Sequence, residues 1–233
     1  MNISVIIPTL NEGGNLPATL ASLRRQATEH ELIVCDGGST DDTLDLARAA
    51  SAITVSTAAG RGQQLAAGAA RATGDVLVFL HADTVLAPGA LQAIIRKLGD
   101  PAIPGGNFRV LFDGPTDFAA WLTGYYTTLR SHAMYYGDSV IFLRRLVYDA
   151  IGGIKPLDLM EDYDLVRRLE AAGPTICITD PPVITSSRRF EGRKPWRIYA
   201  QWVMIHALYY LRVRPHILAR LYRSSTHRPA LEG

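Results

Sequence analysis

The stretch FLHADT, residues 79 to 84, sets His81 two positions before Asp83 at the end of an apolar run, where many nucleotide-using enzymes carry two acids. An aspartate there can hold a divalent cation against phosphate oxygens. A histidine can donate a hydrogen bond to ribose or phosphate, or offer a ring nitrogen to the ion. The run Met160-Glu161-Asp162-Tyr163-Asp164 gathers carboxylates at the start of an amphipathic helix, where the helix dipole favours negative charge whether or not a carboxylate also serves as a base. Asp36 ends the run ELIVCD and is followed by GGST, so its carboxylate either accepts an amide or imide hydrogen from a nucleobase or opens an Asx turn. Thr9 and Glu12 flank the turn after SVIIP; Glu12 can accept from ribose hydroxyls or act as a helix-start carboxylate. Arg61, between Gly60 and Gly62, is a cation on a flexible loop that reaches a nucleotide, or a solvated surface arginine.

These side chains need strand ends to stand on. SVIIP (4–8), ELIVCD (31–36), AITVS (52–56) and DVLVFL (75–80) are short aliphatic or β-branched runs ending in polar or turn residues, the pattern of strands buried on both faces. Helical spacing intervenes: Leu16, Leu20, Leu23 and Ala27; then a helix through Leu44 and Ala47 that Ser39, with Asp41 and Asp42, is expected to cap; then GQQLAAGAARA. Alternating strands and helices imply right-handed βαβ units and a mainly parallel sheet, with ligands beyond the carboxyl ends of the strands. One crevice would then collect Thr9, Glu12, Asp36, His81 and Asp83. In the second half, NFRVLF (107–112) and SVIFLR (139–144) read as strands around the aromatic helix DFAAWLTGYYTTLR, followed by MEDYDLVRRLEAAG as a helix closed by Gly173.

The chain of 233 residues suffices for one sizeable core, and 48% hydrophobic with 20% charged residues is ordinary globular usage. Two cysteines inside apolar runs, Cys35 and Cys177, suit buried thiols in a reducing compartment and exclude a disulfide framework or a thiolate zinc site. The N-terminus reads as a strand rather than a signal peptide. The net charge of +2 conceals an asymmetry: residues 188 to 228 carry ten Lys+Arg against Glu191 alone, a local +9 on a body of −7. The apolar stretch IYAQWVMIHALYYLRV falls short of the roughly 20 residues of a spanning helix. Trp196, Trp202, Tyr209 and Tyr210 among these arginines would pack a last helix on the body, bury a homodimer contact, or lie at an anionic membrane surface and bring in a lipid-linked acceptor. No nucleic-acid motif accompanies the charge.

Taken in order, VIIPTLNEGGNL, ELIVCDGGSTDDT, GRGQQLAAGAARATGDVLVFLHADT and LMEDYDLVRRL resemble the family 2 glycosyltransferases of the GT-A fold, from about residue 3 to residue 170. The resemblance implies an α/β, Rossmann-like, mainly parallel sheet flanked by helices, with a C-terminal helical segment. It implies a domain over 1–190, with a donor-binding half to about 100 and an acceptor half from about 101, then a basic aromatic segment over 191–233. It implies inverting, hexosyltransferase-like transfer from a UDP- or GDP-sugar to an acceptor, small or lipid-linked, assisted by Mg²⁺ or Mn²⁺, in the cytoplasm or at the inner face of its membrane. The donor set is Pro8, Thr9, Glu12, Asp36, Arg61, His81, Ala82 and Asp83, with Asp83 as the metal ligand. His81 stands where the family has the first acid of its D-x-D motif, as a hydrogen-bond donor or as a second ligand. Asp162 aligns as the base, with Glu161 as its neighbour or an acceptor-hydroxyl contact. Asp138, in MYYGDSVIF, falls on the acceptor side or in a turn before a strand. Processive members carry Q-x-x-R-W after the acid pair; SSRRFEGRKPWR replaces it here, so Arg188 and Arg189 are offered to the diphosphate without polymerisation.

Other readings remain open at this point. VLVFLHADTV imitates a haloacid-dehalogenase phosphatase, but histidine stands where that chemistry needs its nucleophilic aspartate. A nucleotidyltransferase would share the crevice yet open with a glycine-rich loop rather than PTLNEGG. A non-catalytic nucleotide-sugar-binding paralogue would keep the slot and lose transfer. On the enzyme reading, His81→Asp is expected to preserve or raise activity.

Overall fold

The computed structural model describes residues 1–114, 116–190 and 192–226. The first half alternates as the periodicity predicts: β1 (Ile3–Thr9), α1 (Leu16–Arg24), β2 (His30–Asp36), α2 (Thr43–Ala49), β3 (Ile53–Ser56), α3 (Arg61–Arg71) and β4 (Val76–Phe79). There follow β5 (Thr84–Leu86), α4 (Ala90–Lys97), β6 (Gly105–Phe112), α5 (Thr116–Ser131), β7 (Ile141–Arg144), α6 (Arg145–Ala150), α7 (Glu161–Ala172), β8 (Ile176–Thr185), α8 (Pro195–Tyr210) and α9 (Pro215–Thr226). All eight strands form one sheet in the order β3-β2-β1-β4-β7-β6-β8-β5. The strands β3, β2, β1 and β4 are parallel, β7 runs antiparallel between β4 and β6, β8 is parallel to β6, and β5 closes the edge antiparallel to β8. This is the expected mixed α/β architecture, with helices on both faces of a mostly parallel sheet.

Its continuous aliphatic runs are what two-sided burial demands. Along β1, Ile3, Val5 and Ile7 join one core cluster while Ile6 joins the cluster on the opposite face; β4 divides likewise, with Val76 and Val78 against Leu77 and Phe79. α3 lies close on β1 and β2 because of Gly68: a Cβ there would stand 2.5 Å from both Cys35 Sγ and Ile6 Cγ2. Both cysteines are free.

Two local expectations change. Ser39 does not cap α2; its hydroxyl turns back to Asp36, and Asp41 Oδ1 accepts from the Thr43 amide at 3.1 Å instead. Residues Gly137–Ser139 form a 3-10 turn, so β7 begins only at Ile141. β8 accommodates Asp180-Pro181-Pro182 by slipping its register on β6, from Phe108 opposite Ile178 to Val110 opposite Val183. Of the expected C-terminal segment, residues 191 and 227–233 lie outside the described residues. Its helix α8 buries Ile198, Gln201 and Ile205 on the body, and Trp202 stacks on Tyr125 with ring centroids 5.2 Å apart. Trp196, Tyr199, Val203 and Tyr210 are exposed. Among the described residues no helix is long and apolar enough to cross a membrane.

Candidate functional site

The carboxyl ends of β1 and β4 and the first turn of α3 enclose a cleft of about 230 Å³ lined by Pro8, Thr9, Glu12, Arg61, His81, Ala82, Asp83 and Arg189, with Leu10, Ala59, Gly60 and Gln64 between them. Seven of the eight residues expected at the donor therefore share one surface. Gln64, which sequence reasoning passes over, ties the strand ends together: its buried Nε2 donates to Thr9 O at 2.6 Å and Cys35 O at 2.8 Å. The GQQ run that opens α3 is its only signal in the sequence.

Asp36 is the eighth, and it stands behind the cleft. Its Oδ2 accepts from the Gly38 and Ser39 amides, both at 2.9 Å, and its Oδ1 from the Thr9 hydroxyl at 3.2 Å and from the Ser39 hydroxyl. A carboxylate has about four lone-pair positions, and the loop fills them. The Asx-turn alternative is thus realised, and a base amide reaches Asp36 only by displacing a hydroxyl such as that of Ser39. Burial works against the ionised form, but these donors outweigh it and hold Asp36 below the usual carboxylate range.

His81 is buried at the wall of the cleft, with one ring nitrogen held by a carboxylate. Its Nδ1 lies 2.9 Å from Asp138 Oδ1, and its Nε2 abuts Gly137, where an added Cβ would come within 2.3 Å of it. Asp138 Oδ2 accepts from the Tyr126 hydroxyl at 2.8 Å. Burial opposes ionisation of Asp138, yet the hydrogen bond and charge of His81, with Arg189 and Arg61, hold its carboxyl far below the ordinary range. Asp138 is therefore more than a residue of a turn before β7; it anchors the imidazole. The expected outcome for His81→Asp reverses accordingly. Two carboxylates would face each other in a buried site, and we expect a loss of about 3 kcal/mol of stability and at least a tenfold loss of activity, read by denaturant melts and donor turnover. A variant as active as the parent would restore the simpler view of position 81.

Asp83 remains as the acid facing the cleft, and burial raises its pKa despite His81 and Arg188 nearby. Arg188 Nη2 spans the opening, 2.8 and 2.7 Å from the two Glu12 carboxylate oxygens and 3.4 Å from Asp83 Oδ2. Among the described residues no three His, Cys, Asp or Glu side chains gather into a metal site. One partly buried carboxylate suits an ion that draws its remaining oxygens from phosphate and water, as Mg²⁺ does; it does not suit an all-protein cage.

Arg61 joins the donor cleft to α7. A Cβ at Gly62 would lie 2.7 Å from Leu157 O and 2.8 Å from Lys155 O, so the glycine lets the first turn of α3 meet the loop before α7 backbone to backbone. Arg61 Nε then pairs with Glu161, and its Nη2 reaches Asp162 Oδ2 at 3.3 Å. Glu161 is sealed, at 1% exposure, and burial raises its pKa against the pull of Arg61. Burial thus works against the charge that the helix dipole favours there. Asp162 also accepts from the Gly137 amide at 3.0 Å and from the Tyr163 amide at 2.8 Å. It borders a second, smaller cavity of about 80 Å³ whose walls include Arg61, Asp138, Arg189, Tyr126, Tyr136, Trp202 and His206. Arg61 and Arg189 line both spaces.

Known proteins resemble this chain in sequence or in fold. Over 212 residues the chain is 43% identical to a PGL/p-HBAD biosynthesis glycosyltransferase of Mycobacterium bovis, covering 78% of this chain and 72% of that one. It is 24% identical over 229 residues to the O-antigen chain rhamnosyltransferase RfbN of Salmonella typhimurium, covering 89% and 73%. Its fold is similar to that of the mannosyltransferase PcManGT from Pyrobaculum calidifontis in complex with GDP-Man and Mn²⁺, with a TM-score of 0.66 at 22% identity over 96% of this chain and 68% of that one. It is similar also to S. aureus TarS in complex with UDP-GlcNAc, with a TM-score of 0.66 at 17% identity; the match covers 81% of this chain and 59% of that one. Residues 4–147, more than half of the chain, match the family model itself, and the chain belongs to glycosyl transferase family 2.

Proposed function

We propose that the protein transfers a sugar from a UDP- or GDP-sugar to a hydroxyl acceptor, once per encounter and with inversion at the anomeric carbon. The observation that carries this reading is the shared wall of Arg61 and Arg189, with a nucleotide-sized cleft on one side and Asp162 in a separate cavity on the other. A donor diphosphate held in the cleft leaves toward β1 and β4 while the acceptor attacks from the Asp162 side. Opposite faces of entry and departure mean inversion.

In this mechanism Thr9, Pro8 and the Asp36 loop seat the base, and Glu12 accepts from the ribose hydroxyls. Arg188 exchanges Glu12 and Asp83 for the entering diphosphate, Arg61 and Arg189 present positive charge to it, and His81, held by Asp138, stands beside them. Asp83 would hold the divalent ion, Mg²⁺ or Mn²⁺, which when bound neutralises charge on the departing diphosphate. Asp162 takes the acceptor proton. Glu161, behind it, keeps Arg61 in place. The domain over 1–190 comprises donor and acceptor halves on this account, and the replacement of Q-x-x-R-W by SSRRFEGRKPWR supports a single transfer.

A thermal-shift panel of UDP, GDP and their sugars with Mg²⁺ or Mn²⁺ tests the reading, because a ligand of the native state raises its melting point. One nucleotide series is expected to stabilise, more so with metal, and Asp83→Asn is expected to raise the metal concentration for half-maximal turnover at least tenfold. A panel with no stabilising nucleotide would end the transferase reading, and tight binding without hydrolysis or transfer would leave a binding paralogue.

The C-terminal helices support peripheral membrane contact. Trp196, Tyr199, Val203 and Met204 on α8, Leu211 just after it and Ile217 on α9 are exposed among arginines, the composition of a surface that enters an anionic interface. The protein is expected to sediment with phosphatidylglycerol-containing liposomes and to be released by salt. Recovery in the supernatant at low salt would dismiss the contact in favour of a dimer face.

A further inference from the structure

The cavity beside Asp162 has a chemical bias that narrows the acceptor. Its polar groups, Arg61, Asp138, Asp162 and Arg189, belong to the end next to the donor cleft, and the rest of the wall is ring faces and aliphatic carbon. The polar atoms of three of those rings, Tyr126, Tyr136 and His206, have partners. The Tyr126 hydroxyl donates to Asp138 at 2.8 Å. His206 Nδ1 lies 2.7 Å from Trp202 O, which can only accept, so Nδ1 carries the proton and a neutral ring's Nε2 accepts from the Tyr136 hydroxyl at 2.7 Å. A sugar acceptor brings several hydroxyls that each need a partner when buried, and Tyr126, Tyr136 and His206 already bond to protein partners. A flat or saturated ring asks only for contact with Trp202 and Tyr126.

Size points the same way. The space is about 80 Å³, whereas an engineered apolar cavity of about 150 Å³ holds benzene. At about half that volume the space takes a single small ring only as the half-buried Tyr125 and Leu129 side chains move aside, and it leaves no room for a second ring.

We propose that the acceptor is headed by a single apolar ring, aromatic or saturated, bearing the reacting hydroxyl at the Asp162 end. This rests on the transferase reading above and names its acceptor class. In the step, the hydroxyl proton passes to the Asp162 carboxylate, the acceptor oxygen bonds to the anomeric carbon, and the anomeric carbon–phosphate oxygen bond breaks with its electron pair leaving on the diphosphate.

The probes are phenol, cyclohexanol and methyl α-glucoside, titrated into the full chain in the presence and absence of UDP or GDP. Phenol and cyclohexanol are expected to bind saturably and methyl α-glucoside at least tenfold more weakly. Leu129→Trp, which fills the cavity, is expected to weaken phenol at least tenfold and to leave UDP or GDP affinity unchanged. If that variant does not fold, Trp202→Phe serves: among the described residues Trp202 is the one tryptophan lining the cavity, so phenol quenching of indole fluorescence should vanish with it. Glucoside binding as tight as phenol, or phenol binding untouched by both variants, would overturn the proposal. UDP or GDP binding without phenol binding sinks the acceptor class alone; failure of both nucleotides to bind sinks the transferase reading on which it stands.

Discussion

Asp162→Asn is expected to lower turnover by roughly 10²–10⁴-fold, the range lost with a general base, while UDP or GDP still binds. The substitution is nearly isosteric and sits across Arg61 from the donor cleft, so the nucleotide meets an unchanged surface. Its structural cost is bounded. The carboxylate accepts from Tyr163 N at 2.8 Å and Gly137 N at 3.0 Å; asparagine keeps one of these and sets its amide against the other, a loss of about 1–2 kcal/mol. The kinetic signature separates this from general damage: kcat falls with little change in the donor KM. A variant retaining more than a tenth of the parent kcat would move the base elsewhere. Glu161 could not replace it without uncovering, since it is sealed at 1% exposure.

How far this site can be read without coordinates depends on how local each contact is. The strands β1 to β4 are legible because burial on both faces writes them as continuous aliphatic runs, and the polar residues just after such runs must gather at one edge of a parallel sheet. That is why Thr9, Glu12, His81 and Asp83 are found together. β8 is obscured by Pro181 and Pro182, which argue against a strand until the register slip on β6 absorbs them. β5, at three residues, is too short to show a period.

The pairings inside the site are invisible in the sequence for a different reason. His81 meets Asp138 and Arg61 meets Glu161 across large separations along the chain, and nothing in either local pattern names the partner. His81 read alone is a changed metal ligand; beside Asp138 it is a buried imidazole whose Nδ1 is held by a carboxylate. Arg61 read alone is a loop cation. The aromatic stretch in α5 is legible as a helix, but that Tyr126 and Tyr136 frame a cavity with Trp202 and His206 depends on where α8 folds back.

Arg61→Met should destabilise the protein by about 3–5 kcal/mol, the cost of leaving a buried charge without its partner, and a second substitution should recover most of it. The uncompensated charge would be Glu161, whose pKa burial already raises while Arg61 restrains it. Without Arg61 that pKa rises further. A carboxyl with a raised folded pKa imposes no penalty below its unfolded value of 4.5, and a growing one as pH climbs from there through the folded value. The stability deficit of Arg61→Met should therefore shrink as pH is lowered toward 4.5 and reach its full size above the raised pKa. In the double variant Arg61→Met, Glu161→Gln the sealed Glu161 charge is gone and only the longer Arg61–Asp162 contact stays broken, so the deficit should be smaller and depend less on pH. Activity should not follow stability. Arg61 also lines the donor cleft, and loss of a cation poised on the diphosphate costs roughly 10²–10³-fold in turnover, which glutamine at 161 cannot restore. A double variant that regains both stability and turnover would reduce Arg61 to a structural strut. One that regains stability alone separates the two duties of this guanidinium: neutralising Glu161 behind it and facing the donor in front.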